Sequence, residues 1–165
     1  MKVTISWGSK NEDRMKIDAD TLESVHRRLD VLPEWGHFKW SFGDYSVDDD
    51  DHATEVVIRP TYTIKMPVWT KCPNQPKSCQ AEWNRMWKAL RVHEEGHRAI
   101  FLKGLANLEA KLKALKGATF AQVTKMVDKA RSDIVAQEKT YDNNTKHGES
   151  RGVDLKIAKE CSDSP

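Results

Sequence analysis

No run of apolar residues in this chain approaches the roughly 18 or more that a membrane span needs. Nor is one sign of charge in excess. The 165 residues carry 27 basic and 25 acidic side chains, mixed along the chain, for a net charge of +2. Composition therefore gives no argument for a nucleic-acid partner, and no membrane partner is expected either. The N-terminal MKVTISWGSKNEDR has no apolar h-region and no small-residue cleavage site. A mature secreted chain with an added initiator Met would look the same. The compartment expected is thus secreted or periplasmic if a leader was removed or export is leaderless, and cytoplasmic otherwise.

Cysteine is scarce: only Cys72, Cys79 and Cys161 are present. The spacing in CPNQPKSC is too wide for a C-x-x-C pair, and no second pair exists, which argues against a structural zinc knuckle. A local Cys72–Cys79 disulfide, implying an oxidising compartment, and two free thiols on a loop are both compatible with that turn-rich stretch. Either way Cys161 is left over, in a polar tail. Repeats and low-complexity linkers are missing too. The four aspartates of SVDDDDH (46–52) lack the D-x-D-x-D-G pattern of a calcium loop, so a solvated hairpin loop is expected there.

What is present reads as one α+β domain over residues 1–165, with its core at about 17–152 and a polar tail. Residues 18–30 predict a helix, with Asp20 and Glu23 at capping-box spacing and Leu22, Val25 and Leu29 at helical spacing. HFKWSFGDY (37–45) alternates like a strand. ATEVVIRPTYTIKMPVW (53–69) is rich in β-branched residues, and Pro60 makes it an edge strand, a bulged strand or two short strands. Trp83, Trp87, Leu90, Phe101, Leu105, Leu108, Leu112 and Leu115 trace a long helix that Gly117 stops. Thr119 and Gln122 open a last helix reaching about Lys139, followed by a loop, YDNNTKHGESRG (141–152). The fold expected is a small antiparallel sheet packed on two long helices. Trp69, Trp83 and Trp87 are expected to fix the first of those helices to the sheet.

That first helix carries RVHEEGHRAI (91–100). His93 and His97 stand four apart, on one helix face, so both imidazoles can reach one ion. Glu94, directly after the first histidine, can reach a metal-activated water without ligating the metal. This is the H-E-x-x-H arrangement of two zinc ligands plus a general base. The alternative is a charged helix face that happens to hold two histidines. A catalytic zinc needs a third protein ligand. The short metzincin form fails, because position 100 is Ile and position 103 is Lys. Downstream candidates are Glu138, with Asp142 four residues later, and His147 beside Gly148.

HEEGH, the upstream IKMPVW and the downstream YDNNTKHGESRG together resemble a bacterial family of predicted secreted zinc-dependent proteases, a domain-of-unknown-function family of the zincin type. Pro67 and Trp69, Trp87, His93 to His97, Tyr141, Asp142, Thr145, His147, Gly148 and Gly152 match its motifs over residues 17–152. Arg151 stands where that family has Gln. The resemblance implies a zincin-like fold and one Zn2+ per chain held by His93, His97 and His147; the spacing of Glu138 and Asp142, that of a gluzincin-type site, keeps Glu138 as the alternative ligand. On the His147 reading Asp142 orients a ligand imidazole. Tyr141 stabilises the oxyanion through its hydroxyl.

The activity expected is peptide-bond hydrolysis with Glu94 as general base, on a peptide or protein substrate paired to an edge strand from the 53–69 region. So short a chain leaves room for a protein partner that completes the cleft. Other classes fit the same residues: a metal-binding or inhibitory module without turnover, or a metal-dependent amidase on a non-peptide or cell-wall substrate.

Overall fold

The structure is a computed structural model, and it describes residues 1–163. The chain is α+β, with small mixed sheets and long helices. In order it forms β1 (Lys2–Ile5), β2 (Lys10–Ile17), α1 (Leu22–Asp30), β3 (His37–Ser41), β4 (Tyr45–Val47), β5 (Glu55–Ile58), β6 (Thr61–Trp69), α2 (Lys77–Lys113) and α3 (Phe120–Thr145). Among the described residues no helix is long and apolar enough to cross a membrane.

The backbone groups into two compact units, each made of three separate stretches. The first comprises Met1–Asn11, Lys39–Thr63 and Gly96–Tyr141; the second comprises Glu12–Phe38, Ile64–Glu95 and the chain from Asp142 onward.

In the first unit β5 is central, in the order β1-β5-β4. It pairs antiparallel with β4 but parallel with β1. The expected purely antiparallel sheet is therefore corrected to a mixed one. Nothing local marks β1 as a strand, because it pairs with a segment more than fifty positions away, which no nearby turn announces. Pro60 divides the 53–69 run into β5 and β6, which lie in different sheets. The loop from Asp48 to Thr54 connects the β4–β5 hairpin, as expected of SVDDDDH. Its aspartates serve the turn: Asp48 accepts from the Thr54 and Glu55 amides, and Asp49 from those of Asp51 and His52. Those bonds hold the Asp48 carboxyl, first through the Thr54 hydroxyl, far below the usual carboxylate range.

The α3 N-terminus is the capping box that the sequence predicts. Thr119 N–H donates to the Gln122 side chain at 2.9 Å, and Gln122 N–H to the Thr119 hydroxyl at 3.2 Å. Gly104 lets α2 approach α3, since a Cβ there would overlap Ile134.

The other sheet has the order β2-β6-β3, so β6 is central as well. Neither strand of the 53–69 run is an edge. That corrects the substrate-pairing strand expected there, and leaves β2 and β3 as the edges of this sheet.

In the second unit α1 is capped by Thr21, whose hydroxyl accepts from Ser24 N–H, one residue later than the Asp20/Glu23 box predicts. Glu23 instead accepts from the Asp163 amide at 2.8 Å. Trp69 and Trp83 are buried and meet edge-on at 6.0 Å. Trp87 donates to the Pro67 carbonyl, which locks α2 to β6 as expected, and Trp69 donates to the Ala19 carbonyl ahead of α1.

The disulfide is Cys79–Cys161, and Cys72 is free and half-buried. Neither reading of CPNQPKSC holds: Cys72 and Cys79 are not bridged to each other, Cys79 is not a free thiol, and Cys161, expected to be left over, is its partner. Cys79 is buried on the first turns of α2, where the returning tail meets it, whereas Cys72 lies in a separate 3-10 turn. The tail is accordingly built into this unit. Val153, Leu155 and Cys161 are buried, and Arg85 binds the carbonyls of Gly152 and Asp154 at 2.9 and 2.8 Å.

Candidate metal centre

The apolar stripe of α2 runs through Trp83, Met86 and Leu90 and resumes at Phe101. Between them the same helical spacing delivers His93, Glu94 and His97. His93 and Glu94 are each only 4% exposed. Polar groups so deeply placed need partners, because burial without them is costly.

His93 finds Asp142, on the last turn of α3. Nε2 stands 3.3 Å from Oδ1. Ligand atoms of His93, His97 and Asp142 all lie within 4.8 Å of one another. Two imidazoles and a carboxylate are a donor set that zinc accepts. Two ligands on one tetrahedral zinc, each at about 2.0–2.1 Å, stand roughly 3.3 Å apart. The His93–Asp142 separation thus fits a shared ion without rearrangement.

Glu94 is walled in by the turn before β3. A Cβ on Gly36 would stand 2.9 Å from its Oε1 and 3.0 Å from Leu90. Burial, with Glu34 and Asp142 adding like charge, pushes the Glu94 carboxyl up to about 8, against a lowering contact from the Phe38 amide. A carboxyl with that affinity for a proton is suited to take one and return it. A cation held by the adjacent histidines favours the charged form and opposes the rise. Glu95, on the opposite side, pairs with Arg91 at 2.8 Å.

Tyr141 meets the His97 ring edge-on at 5.0 Å. Its phenol lies against the α2 backbone at Gly96. The helix α3 runs through Tyr141 and Asp142 to Thr145, so both are helical residues rather than the loop residues expected.

The other two candidates stand elsewhere. Glu138 accepts from Trp40 Nε1 at 2.9 and 3.0 Å, and Trp40 stacks on Phe101 at 5.0 Å. His147 is exposed and left-handed (φ 52°), with its amide bonded to the Asp142 carbonyl at 2.9 Å. Neither belongs to the group of close ligand atoms among the described residues. The His147 loop is nonetheless next to the site, since a Cβ on Gly148 would stand 3.3 Å from His93 Cγ.

Glu34, Gly36 and Phe38 are site neighbours that the sequence reading missed. LPEWG reads as a helix breaker, and nothing local says what the broken segment will cover.

No curated protein and no solved structure matches the chain. A family model does, over residues 13–148, which takes in β3, the HEEGH helix and the His147 loop. The chain belongs to that family, described as "Bacterial protein of unknown function (DUF922)".

Proposed function

We propose that the protein is a zinc-dependent metallopeptidase of the zincin type. The observation that carries this reading is the convergence of His93, His97 and Asp142 ligand atoms beside the buried carboxyl of Glu94. In it, His93, His97 and Asp142 hold one Zn2+. When bound, the ion acidifies a water and polarises the substrate carbonyl. Glu94 takes the proton of the attacking water and returns it to the leaving amine. Tyr141 donates its hydroxyl toward the developing oxyanion. The substrate backbone pairs with the β3 edge, whose Phe38 amide faces Glu94. A second ligand set, His93, His97 and His147, is favoured by the closeness of Gly148 to His93. Export through an oxidising compartment fits the buried Cys79–Cys161 disulfide.

Elemental analysis of the wild type, Asp142→Ala, His147→Ala and Glu94→Gln tests the reading. One zinc per chain, lost with Asp142 and kept without His147, is the expected result. Loss only with His147 selects the second set. Glu94→Gln keeps its zinc and loses about 10²–10⁴-fold in peptide turnover. A zinc-free wild type, or a Gln variant with unchanged rate, overturns the proposal.

A further inference from the structure

Gly96 is interior to α2, where a glycine weakens a helix relative to alanine. Flexibility does not account for it, because Gly96 is not among the glycines with positive φ. Space does. A Cβ at this position would overlap the Tyr141 hydroxyl and Cζ and would stand 3.0 Å from Cε1. The phenol therefore occupies the volume that any side chain at position 96 would claim.

That volume is on the turn joining His93 to His97. The ring seated there touches His97 edge-on, with centroids 5.0 Å apart and planes at 85°. An imidazole on a half-buried helix face turns about two side-chain bonds. An aromatic wall on one side narrows that rotation. We propose that Gly96 is a positioning residue: its missing side chain seats Tyr141 across α2, and the seated phenol holds the His97 ring for the metal and presents its hydroxyl to the reacting carbonyl. The metal and carbonyl parts of this inference rest on the zinc peptidase reading; the seat itself does not.

Gly104 is the internal comparison. It lies on the same helix, and a Cβ there would overlap Ile134, an apolar packing partner on α3 away from the histidines. If glycines on α2 only let the helices approach, the two positions behave alike.

The test is a set of variants: Gly96→Ala and Gly104→Ala, each alone and with Tyr141→Ala. Zinc affinity is read by competition with a chromophoric chelator, stability by thermal melting, and turnover as kcat and KM separately. Outer partners of a ligand histidine typically account for about 10–100-fold in metal affinity or activity. Gly96→Ala is expected to lose affinity on that scale and to lower kcat more than KM. With Tyr141→Ala already present, Gly96→Ala costs no further affinity and raises the thermal midpoint. Gly104→Ala lowers the midpoint and leaves zinc affinity unchanged.

Equal losses from Gly96→Ala in both backgrounds, or equal zinc effects at positions 96 and 104, overturn the inference. Should Gly96→Ala alone not fold, the double variant with Tyr141→Ala must fold, and its failure also overturns it. A wild type that binds no zinc sinks the peptidase reading alone. The reversal in melting between the two backgrounds then still decides the seat.

Discussion

Glu94 shows how much of a residue's chemistry comes from neighbours that are distant in sequence. The spacing of HEEGH identifies it as the residue beside two ligands, and the helix puts it where that spacing requires. Its burial is a tertiary fact. The chain crosses it at Gly36, leaving no room for a Cβ between the backbone and Oε1. The same holds for Asp142, read from sequence as an accessory acceptor and brought by α3 to 3.3 Å from His93. Glycine at 36 is thus predicted to be required sterically. Gly36→Ala must push Glu94 or Leu90 aside, at about 1–3 kcal/mol of overpacking. Zinc content stays at the wild-type level, because no ligand is touched, while peptide turnover falls. Denaturant unfolding, metal analysis and kinetics on the one variant check this. A neutral Gly36→Ala would show that the segment before β3 yields freely.

Among the elements, the helices were legible and the sheets only partly so. The α2 stripe and the Thr119/Gln122 box are local signals, complete within a few turns. The charged edge strand β2, KNEDRMKI, buries almost nothing on its own, so no alternation marks it. The end of α3 misleads in another way. Asp142, Asn143 and Asn144 are turn-prone types, yet they stay helical while Tyr141 packs on His97 and Asp142 meets His93. Termination is delayed to three successive left-handed residues, Lys146 (φ 48°), His147 (φ 52°) and Gly148 (φ 92°). The first two have side chains and pay for this conformation, which costs an L-residue roughly 1–2 kcal/mol. Lys146 is exposed, so replacing it removes strain without removing packing. Lys146→Gly is expected to stabilise by about 0.5–1 kcal/mol after glycine's own entropy cost, a rise of about 1–4 °C. Calorimetry reads this directly. A fall in midpoint would mean that the lysine side chain contributes more than its backbone costs.

At the scale of the whole molecule the sequence was least informative. Both units are assembled from three separate stretches, with divisions inside α2 and α3 where helical periodicity is unbroken. The tail reads as polar because its apolar anchors are few: Val153, Leu155 and Cys161. Its hold comes instead from one covalent bond and from hydrogen bonds and ion pairs to Arg27, Glu82 and Arg85, which sequence spacing does not reveal. Removing the Cys79–Cys161 bond, which joins residues 82 apart, by Cys161→Ser is expected to cost about 2–5 kcal/mol. Thiol titration of the unfolded wild type should find only Cys72 reactive without a reductant.

The ionic part makes the tail sensitive to acid. Glu82 accepts from the Lys156 amide at 2.7 Å and pairs with Arg85, which itself grips Gly152 and Asp154. Arg85 first, and the Lys156 amide after it, hold the Glu82 carboxyl below its ordinary value. Asp163 is lowered likewise by the Thr21 hydroxyl, Arg27 and Ser24. A carboxyl depressed on folding adds stability above its unfolded value, about 4.3 for glutamate, and that stability disappears as pH falls through the folded value. Between pH 5 and the acid limit the unfolded chain binds these protons first, so stability must decline. Melting from about pH 6 down to 3 should therefore show a steeper loss for the wild type than for Glu82→Gln, which has no proton to take up at that position. Protection of the Lys156 amide from hydrogen exchange should weaken over the same range in the wild type. Parallel melting curves for the two proteins would remove Glu82 from the acid response and leave the disulfide as the tail's main anchor.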